Sequence, residues 1–206
     1  NQILLGGAFT TVSGTLRDCI ARVSANGTLD TNFNPGADAQ VYNVAVQANG
    51  QILLGGSFSN VGGITRTTFA RLLNDPATQV LNALDANQVL WTRGGSAPEV
   101  SQTTFELSTD GGSSYTLLGG TPTRIGSTAN WRLSGLILPA SGHLRARGRS
   151  AGGYANGSSG LVQQVTSFNL PKPSNTTVTS DLPDASKPFE SVTVRIAVRA
   201  TPPATG

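Results

Sequence analysis

Residues Gln2–Arg22 are written out a second time at Gln51–Arg71, with twelve of 21 positions identical at a constant offset of 49. The first copy reads QILLGGAFTTVSGTLRDCIAR and the second QILLGGSFSNVGGITRTTFAR. A unit of that length cannot bury its own apolar face and has to stack on a further copy of itself. The chain opens inside one copy and carries about one and a half units, so the first lacks a counterpart of the residues that precede ILLGG in the second. The repeat therefore constrains architecture and assembly much more than chemistry.

The rest of the chain points to strands. Helix formers never gather into a window with a 3.6-residue apolar period, while 25 glycines and 11 prolines punctuate short β-type runs. The class is all-β. Only 12% of residues are charged, and the polarity comes from hydroxyl and amide groups, as it often does in secreted bacterial surface proteins. The net charge of +3 reflects scarce acids, and only Lys172 and Lys187 are lysine. A nucleic-acid binder would cluster more positive charge, with aromatics between. There is no apolar stretch of membrane-spanning length and no signal peptide; a chain that opens mid-repeat is expected to have its natural start elsewhere. Cys19 stands alone, which excludes an intrachain disulfide. Its place is taken by Thr68 in the second copy, so it reads as a small residue on a β face.

Three regions follow one another. In 1–76, Gln40–Gln47 (QVYNVAVQ) alternates as a strand should, and Asn49-Gly50 leads into Ile52-Leu53-Leu54-Gly55-Gly56. Asn-Gly accepts two positive φ angles, which predicts a tight hairpin. Ile20–Val23 and Phe69–Leu73 read as the strands that end the two copies. In 77–170, Val89-Leu90-Trp91, Thr104–Ser108, Ser114–Leu118, Trp131–Leu136, His143–Arg149 and Ser158–Leu170 are strand-like at sandwich spacing, which predicts a Greek-key sandwich of about seven strands. In 171–206, six prolines mark a linker, broken by one amphipathic strand at 191–201 (SVTVRIAVRAT). That strand places Val192, Val194, Ile196, Val198 and Ala200 on one face.

The order ILLGGxF, ARxxxxGxLDxxFNPG, VYxVAVQxNGxILLGGSF resembles the delta-60 repeat of bacterial secreted and surface proteins. The resemblance implies propeller-like blades of about four antiparallel strands. A closed propeller needs roughly four to eight blades, more than this chain holds. Likewise FELSTDGGSSYTLL, WRLSGL and HLRARGRS resemble a fibronectin type III or immunoglobulin-like domain, a common neighbour of such repeats. The expected fold is thus an incomplete propeller-like repeat sheet, an Ig-like sandwich and an extended tail strand.

No catalytic constellation emerges. His143 is the only histidine and lies among arginines, not beside a nucleophile. Most of the acids sit in turns rather than in facing pairs, and the glycine pairs precede further β-type residues instead of a helix. One His and one Cys exclude zinc sites built from clustered ligands. Asp30-Thr31-Asn32-Phe33-Asn34-Pro35-Gly36 begins like a calcium loop, but the position of the closing acid is Val41. Asx turns account for the run. No catalytic, cofactor or metal site is expected, with calcium the weaker competing reading. Arg145, Arg147 and Arg149 share a strand face and could meet an anionic glycan or an acidic protein surface; a solvated outer strand is the simpler reading. Trp91, Trp131, Tyr115 and Tyr154 are the aromatic candidates for glycan binding, and the Trp residues read as core.

These features predict a non-catalytic extracellular structural or assembly protein of the cell surface. An open sheet edge at Ile3 and Leu5 calls for a partner. The unpaired strand Val192–Ala200 could complete the sheet of the next subunit, as in donor-strand complementation. That contact does not close and would propagate a head-to-tail filament. The alternatives are a fragment of a larger adhesin whose remaining blades fill the gap, or a carbohydrate-binding propeller protein.

Overall fold

A computed structural model of the chain describes residues 2–150, 160–171, 174–182 and 193–200, and every regular element among them is a strand. In the first repeat, β1 (Gln2–Gly6) pairs antiparallel with β4 (Ile20–Ser24), with a small hairpin, β2 (Thr11–Val12) and β3 (Thr15–Leu16), between them. The second repeat has three main strands in the order β5 (Val41–Val46), β6 (Ile52–Gly56), β9 (Phe69–Leu72), again interrupted by a small hairpin, β7 (Asn60–Val61) and β8 (Ile64–Thr65). Both copies contribute to one apolar core: Ile20 and Phe33 from the first meet Ile52, Leu54, Phe58, Val61 and Ala70 from the second. None of the described sheets closes into a ring.

The hairpin linking β5 and β6 differs from its sequence reading. Gly50 has a φ of 91°, but Asn49 does not enter the left-handed region. The Gly50 N–H donates to Gln47 O at 2.9 Å and the Gln47 N–H to Gln51 O at 2.8 Å. This is a three-residue loop closed by one left-handed glycine, not a two-residue turn with two. Asn49 instead uses its side-chain oxygen to accept the Gln51 N–H at 3.1 Å. Asn26-Gly27 is built the same way, with Gly27 at φ 86° and Asn26 accepting from Thr28. The surroundings differ. A Cβ on Gly27 would meet open space, whereas one on Gly50 would lie 2.7 Å from Asp75 O and 3.0 Å from Ala77 N. Gly27→Ala is therefore expected to cost about 1–2 kcal/mol for the left-handed conformation alone. Gly50→Ala must also displace backbone and is expected to cost clearly more, as read from denaturant midpoints.

Cys19 does not lie on a β face. It sits before β4 with φ 61°, and Thr68, its counterpart, has the same φ of 61°. In both copies the next residue donates its N–H back across this position: Ile20 to Asp18 O at 2.8 Å, Phe69 to Thr67 O at 2.7 Å. The flanking bonds also match. Cys19 N–H reaches Phe9 O and Gly7 N–H reaches Cys19 O; Thr68 N–H reaches Phe58 O and Gly56 N–H reaches Thr68 O. A three-residue turn with a left-handed centre is rare and strained, and backbone bonds on both sides hold it.

The second unit is a sandwich. One sheet runs β10 (Ala77–Asp85), β11 (Gln88–Gly95), β15 (Trp131–Ser134), β14 (Thr123–Arg124); the other runs β13 (Thr116–Leu117), β12 (Val100–Ser108), β16 (Ser141–Ser150), β17 (Leu161–Asn169). That makes eight strands where the spacing suggested about seven; Ser114–Leu118 holds the short β13, whereas β10 and the two-residue β14 did not stand out in the sequence. Leu81, Val89, Trp91 and Leu133 from the first sheet pack against Val100, Phe105, Leu144, Ala146 and Val162 from the second. Trp91 is fully buried, and a Cβ on Gly148 would lie 3.1 Å from its ring.

The tail is not simply a linker with an unpaired strand. β18 (Ser174–Leu182) and β19 (Thr193–Ala200) form an antiparallel pair, from Ser174 opposite Ala200 to Leu182 opposite Thr193. Val194, Ile196, Val198 and Ala200 thus stand opposite Asp181, Val178, Thr176 and Ser174. Val192 lies outside the described residues.

Candidate functional site

The most densely organised polar region is the seam between the two repeat copies. Arg22 is buried on β4. Its Nε and Nη2 each lie 2.8 Å from Asp30 Oδ2, its Nη1 donates to Asn74 Oδ1, and Asp75 Oδ2 is 3.7 Å from Nη1. The guanidinium stacks over Phe33, 4.7 Å from the ring centre. Buried Arg17 donates to Leu16 O and to Asp30 O. Burial pushes the Asp30 carboxyl up, but the Arg22 bond and the Asn32 N–H outweigh it and hold the group below its ordinary value. Asp30 is thus an anchor for the LDTNFNPG segment: one carboxylate oxygen accepts from Arg22 and the other from the Asn32 N–H. The Asx-turn chemistry expected for the run is present at Asn32.

Beyond Phe33 the chain crosses to the second copy. Ala37 N–H donates to Asp18 O and Gly62 N–H to Gly36 O, and Ala37 bridges Val61. Asp38 accepts the Ser59 and Asn60 N–H groups and the Asn60 amide, and Asn60 in particular holds its carboxyl below the ordinary range. An open cleft of about 510 Å³ runs along this seam, with Asp18, Cys19, Asp38 and Asn60 on its walls.

The arginine row lies on the sandwich. β12 runs beside β16 with Glu106 opposite Arg145. Arg145 donates through Nε and Nη2 to Glu106 Oε2, and its guanidinium stacks 4.0 Å above the Tyr115 ring. Arg147 reaches Glu106 Oε1 at 3.4 Å and Gln163 Oε1 at 3.1 Å. A largely buried carboxylate therefore spans two of the three arginines. Arg149 is exposed beside a depression of about 300 Å³ that Gln102 and Thr104 also line. Glu106 was missed as a site residue because its partners are 39 and 41 residues away; only the strand pairing identifies it.

The other candidates are dispersed. Ile3 is exposed and Leu5 half-buried on β1, whose sheet partner is β4; no described pairing joins β1 to β19. Trp131 is half-buried, Tyr115 lies beneath Arg145, and Tyr154 is outside the described residues. In the hairpin at Asp110, the Ser108 hydroxyl, the Ser114 hydroxyl and the Ser114 N–H all donate to the carboxylate, holding it far below the usual range. Among the described residues no helix is long and apolar enough to cross a membrane.

The two copies in the first part of the chain are propeller-like β repeats. A family model described as a domain of unknown function (DUF5122), beta-propeller, matches residues 1–33 and 47–75, the segments that hold the two copies. No curated protein and no solved structure matches the chain.

Proposed function

We propose that this chain is a non-catalytic structural component of a bacterial cell surface or secreted protein, a repeat fragment of the adhesin kind. Its propeller-like blades stack in series, and an immunoglobulin- or fibronectin-III-like sandwich acts as a spacer. The observation that carries the reading is the core shared by the two copies, because a repeat whose stability comes from its neighbour is an element of construction. For the sandwich, the strand order β10-β11-β15-β14 facing β13-β12-β16-β17 supports the Ig-like assignment, since it follows the A-B-E-D and C-F-G arrangement of such domains.

A membrane-impermeant biotin reagent on intact producing cells tests the location: the protein is expected to be labelled, and labelling only after lysis would refute a surface role. A second reading, glycan recognition, draws on exposed Arg149 and its depression. Saturable binding on a glycan array, lost in Arg149→Ala, would favour it over a purely structural part. Filament growth by donation of the tail strand has to begin by separating β19 from β18. Blade-to-blade stacking needs no such step and is the preferred route of assembly.

A further inference from the structure

The outer face of the β13-β12-β16-β17 sheet carries an unbalanced charge. Register places Thr104 opposite Arg147 and Gln102 opposite Arg149 between β12 and β16. On the other side of β16, Gln163 and Leu161 stand opposite the same two arginines. Opposed residues share a face, so these six side chains form one continuous patch. Glu106 is the one acid in β12, β16 and β17. Arg145 takes one of its carboxylate oxygens and Arg147 the other. Three arginines against one carboxylate leave two guanidinium charges uncompensated, and Arg149 has no carboxylate partner among the described residues.

Two features separate the patch from a plain cationic surface. Arg147 is fixed in place, with Nε donating to Gln163 Oε1 at 3.1 Å and Nη1 to Glu106 Oε1 at 3.4 Å. A guanidinium held that way loses little freedom on binding. Arg149 follows two residues along the strand, about 7 Å away, and is exposed at the depression of about 300 Å³. That volume lies at the lower end of the range for small-ligand sites. The second feature is that charge is mixed with neutral groups. Gln102, Thr104 and Gln163 each both donate and accept hydrogen bonds, as sugar hydroxyls require, and Leu161 is 53% exposed beside them. An acidic peptide fits less well. β16 is paired on both edges, so a peptide laid across its arginines finds no free backbone to pair with.

We propose that this depression binds a hexuronate unit of an acidic polysaccharide. The ring carboxylate meets Arg149 and Arg147, whose forked donors match its two oxygens. The ring hydroxyls meet the amide and hydroxyl side chains, and the C–H face of the ring lies on Leu161. The proposal rests on the glycan-recognition reading above and names the class of sugar and the groups that select it.

Titration calorimetry of the full chain with polygalacturonate, and in parallel with dextran, dextran sulfate and poly-glutamate, tests this. Polygalacturonate is expected to bind saturably at physiological ionic strength. Arg149→Ala should weaken it by about tenfold without changing the circular dichroism, since the residue is exposed. Arg149→Lys should recover only part of the affinity, because an ammonium cannot make the forked contact. Arg71→Ala removes the same charge from the exposed side of the repeat unit and should leave binding unchanged. An equal loss in Arg71→Ala, or dextran sulfate bound as tightly as polygalacturonate, would reduce the contact to net charge and overturn the proposal. Polygalacturonate binding that Arg149→Ala leaves intact overturns it too, and tighter binding of poly-glutamate would assign the face to acidic proteins instead. Dextran bound as tightly, and lost in Arg149→Ala, would keep glycan recognition but remove the preference for acidic sugars. No binding of any polysaccharide would remove both. Surface labelling by biotin is indifferent to all of these outcomes, so the structural reading stands or falls separately.

Discussion

Arg22→Ala is expected to lower the stability of the repeat unit by about 3 kcal/mol, the lower end of the range for breaking a buried ion pair. Arg71→Ala, at the same place in the second copy, should stay within about 0.5 kcal/mol of wild type, as exposed substitutions usually do. Arg22 is enclosed by Asp30, Asn74 and the Phe33 ring, so its removal leaves a partly buried carboxylate without its partner. Arg71 is exposed on the uncovered side of β9. Urea midpoints of the two variants measure the contrast, and equal losses would contradict the difference in burial between the copies. A pH series adds an independent check. The Asp30 carboxyl is held below its ordinary 3.8 in the folded chain, so its contribution is complete above that value and fades as pH falls through the depressed one. Wild type should lose stability below about pH 4, and Arg22→Ala should flatten that part of the curve.

Trp91→Ala is expected to cost about 3–5 kcal/mol, the usual penalty for truncating a large buried aromatic. Its ring belongs to the sandwich core and, like Val100, lies close against the backbone at Gly148. Trp131, directly opposite in the register, remains as a fluorescent reporter. Hydrogen exchange should show protection lost across β10–β17 but kept across β4–β6, because the two units have separate apolar cores. Loss of protection in both units would show that they unfold as one. A glycan-binding defect in Trp91→Ala would carry no information about recognition, since the residue is entirely buried.

Much of the architecture was legible because it is local. The repeat located β1, β4, β6 and β9, the alternation of His143–Arg149 located β16, and Trp91 read as core. What stayed hidden depends on pairings distant in sequence or on surroundings that two identical motifs do not share. Glu106 looked like one more surface acid until β12 was laid beside β16. Arg22 and Arg71 occupy equivalent positions in nearly the same motif, so nothing in the copies themselves says that one is enclosed and the other bare. β18 escaped notice because Ser-Asn-Thr-Thr between prolines has no apolar alternation. The strained turns at Cys19 and Thr68 were invisible because neither residue type favours a left-handed backbone.

Those turns have a bearing on how such repeats diverge. Asp18-Cys19-Ile20 and Thr67-Thr68-Phe69 share no residue, yet they carry the same φ and the same pattern of main-chain bonds. The shape is fixed by N–H and C=O groups anchored at the Gly-Gly-x-Phe segment, so the turn itself makes no demand on its three side chains, although Ile20 is still held by the core. A distant unit of this kind could lose every recognisable residue at the turn and still retain its path. Kinship among these blades would then be better traced through backbone torsion than through letters.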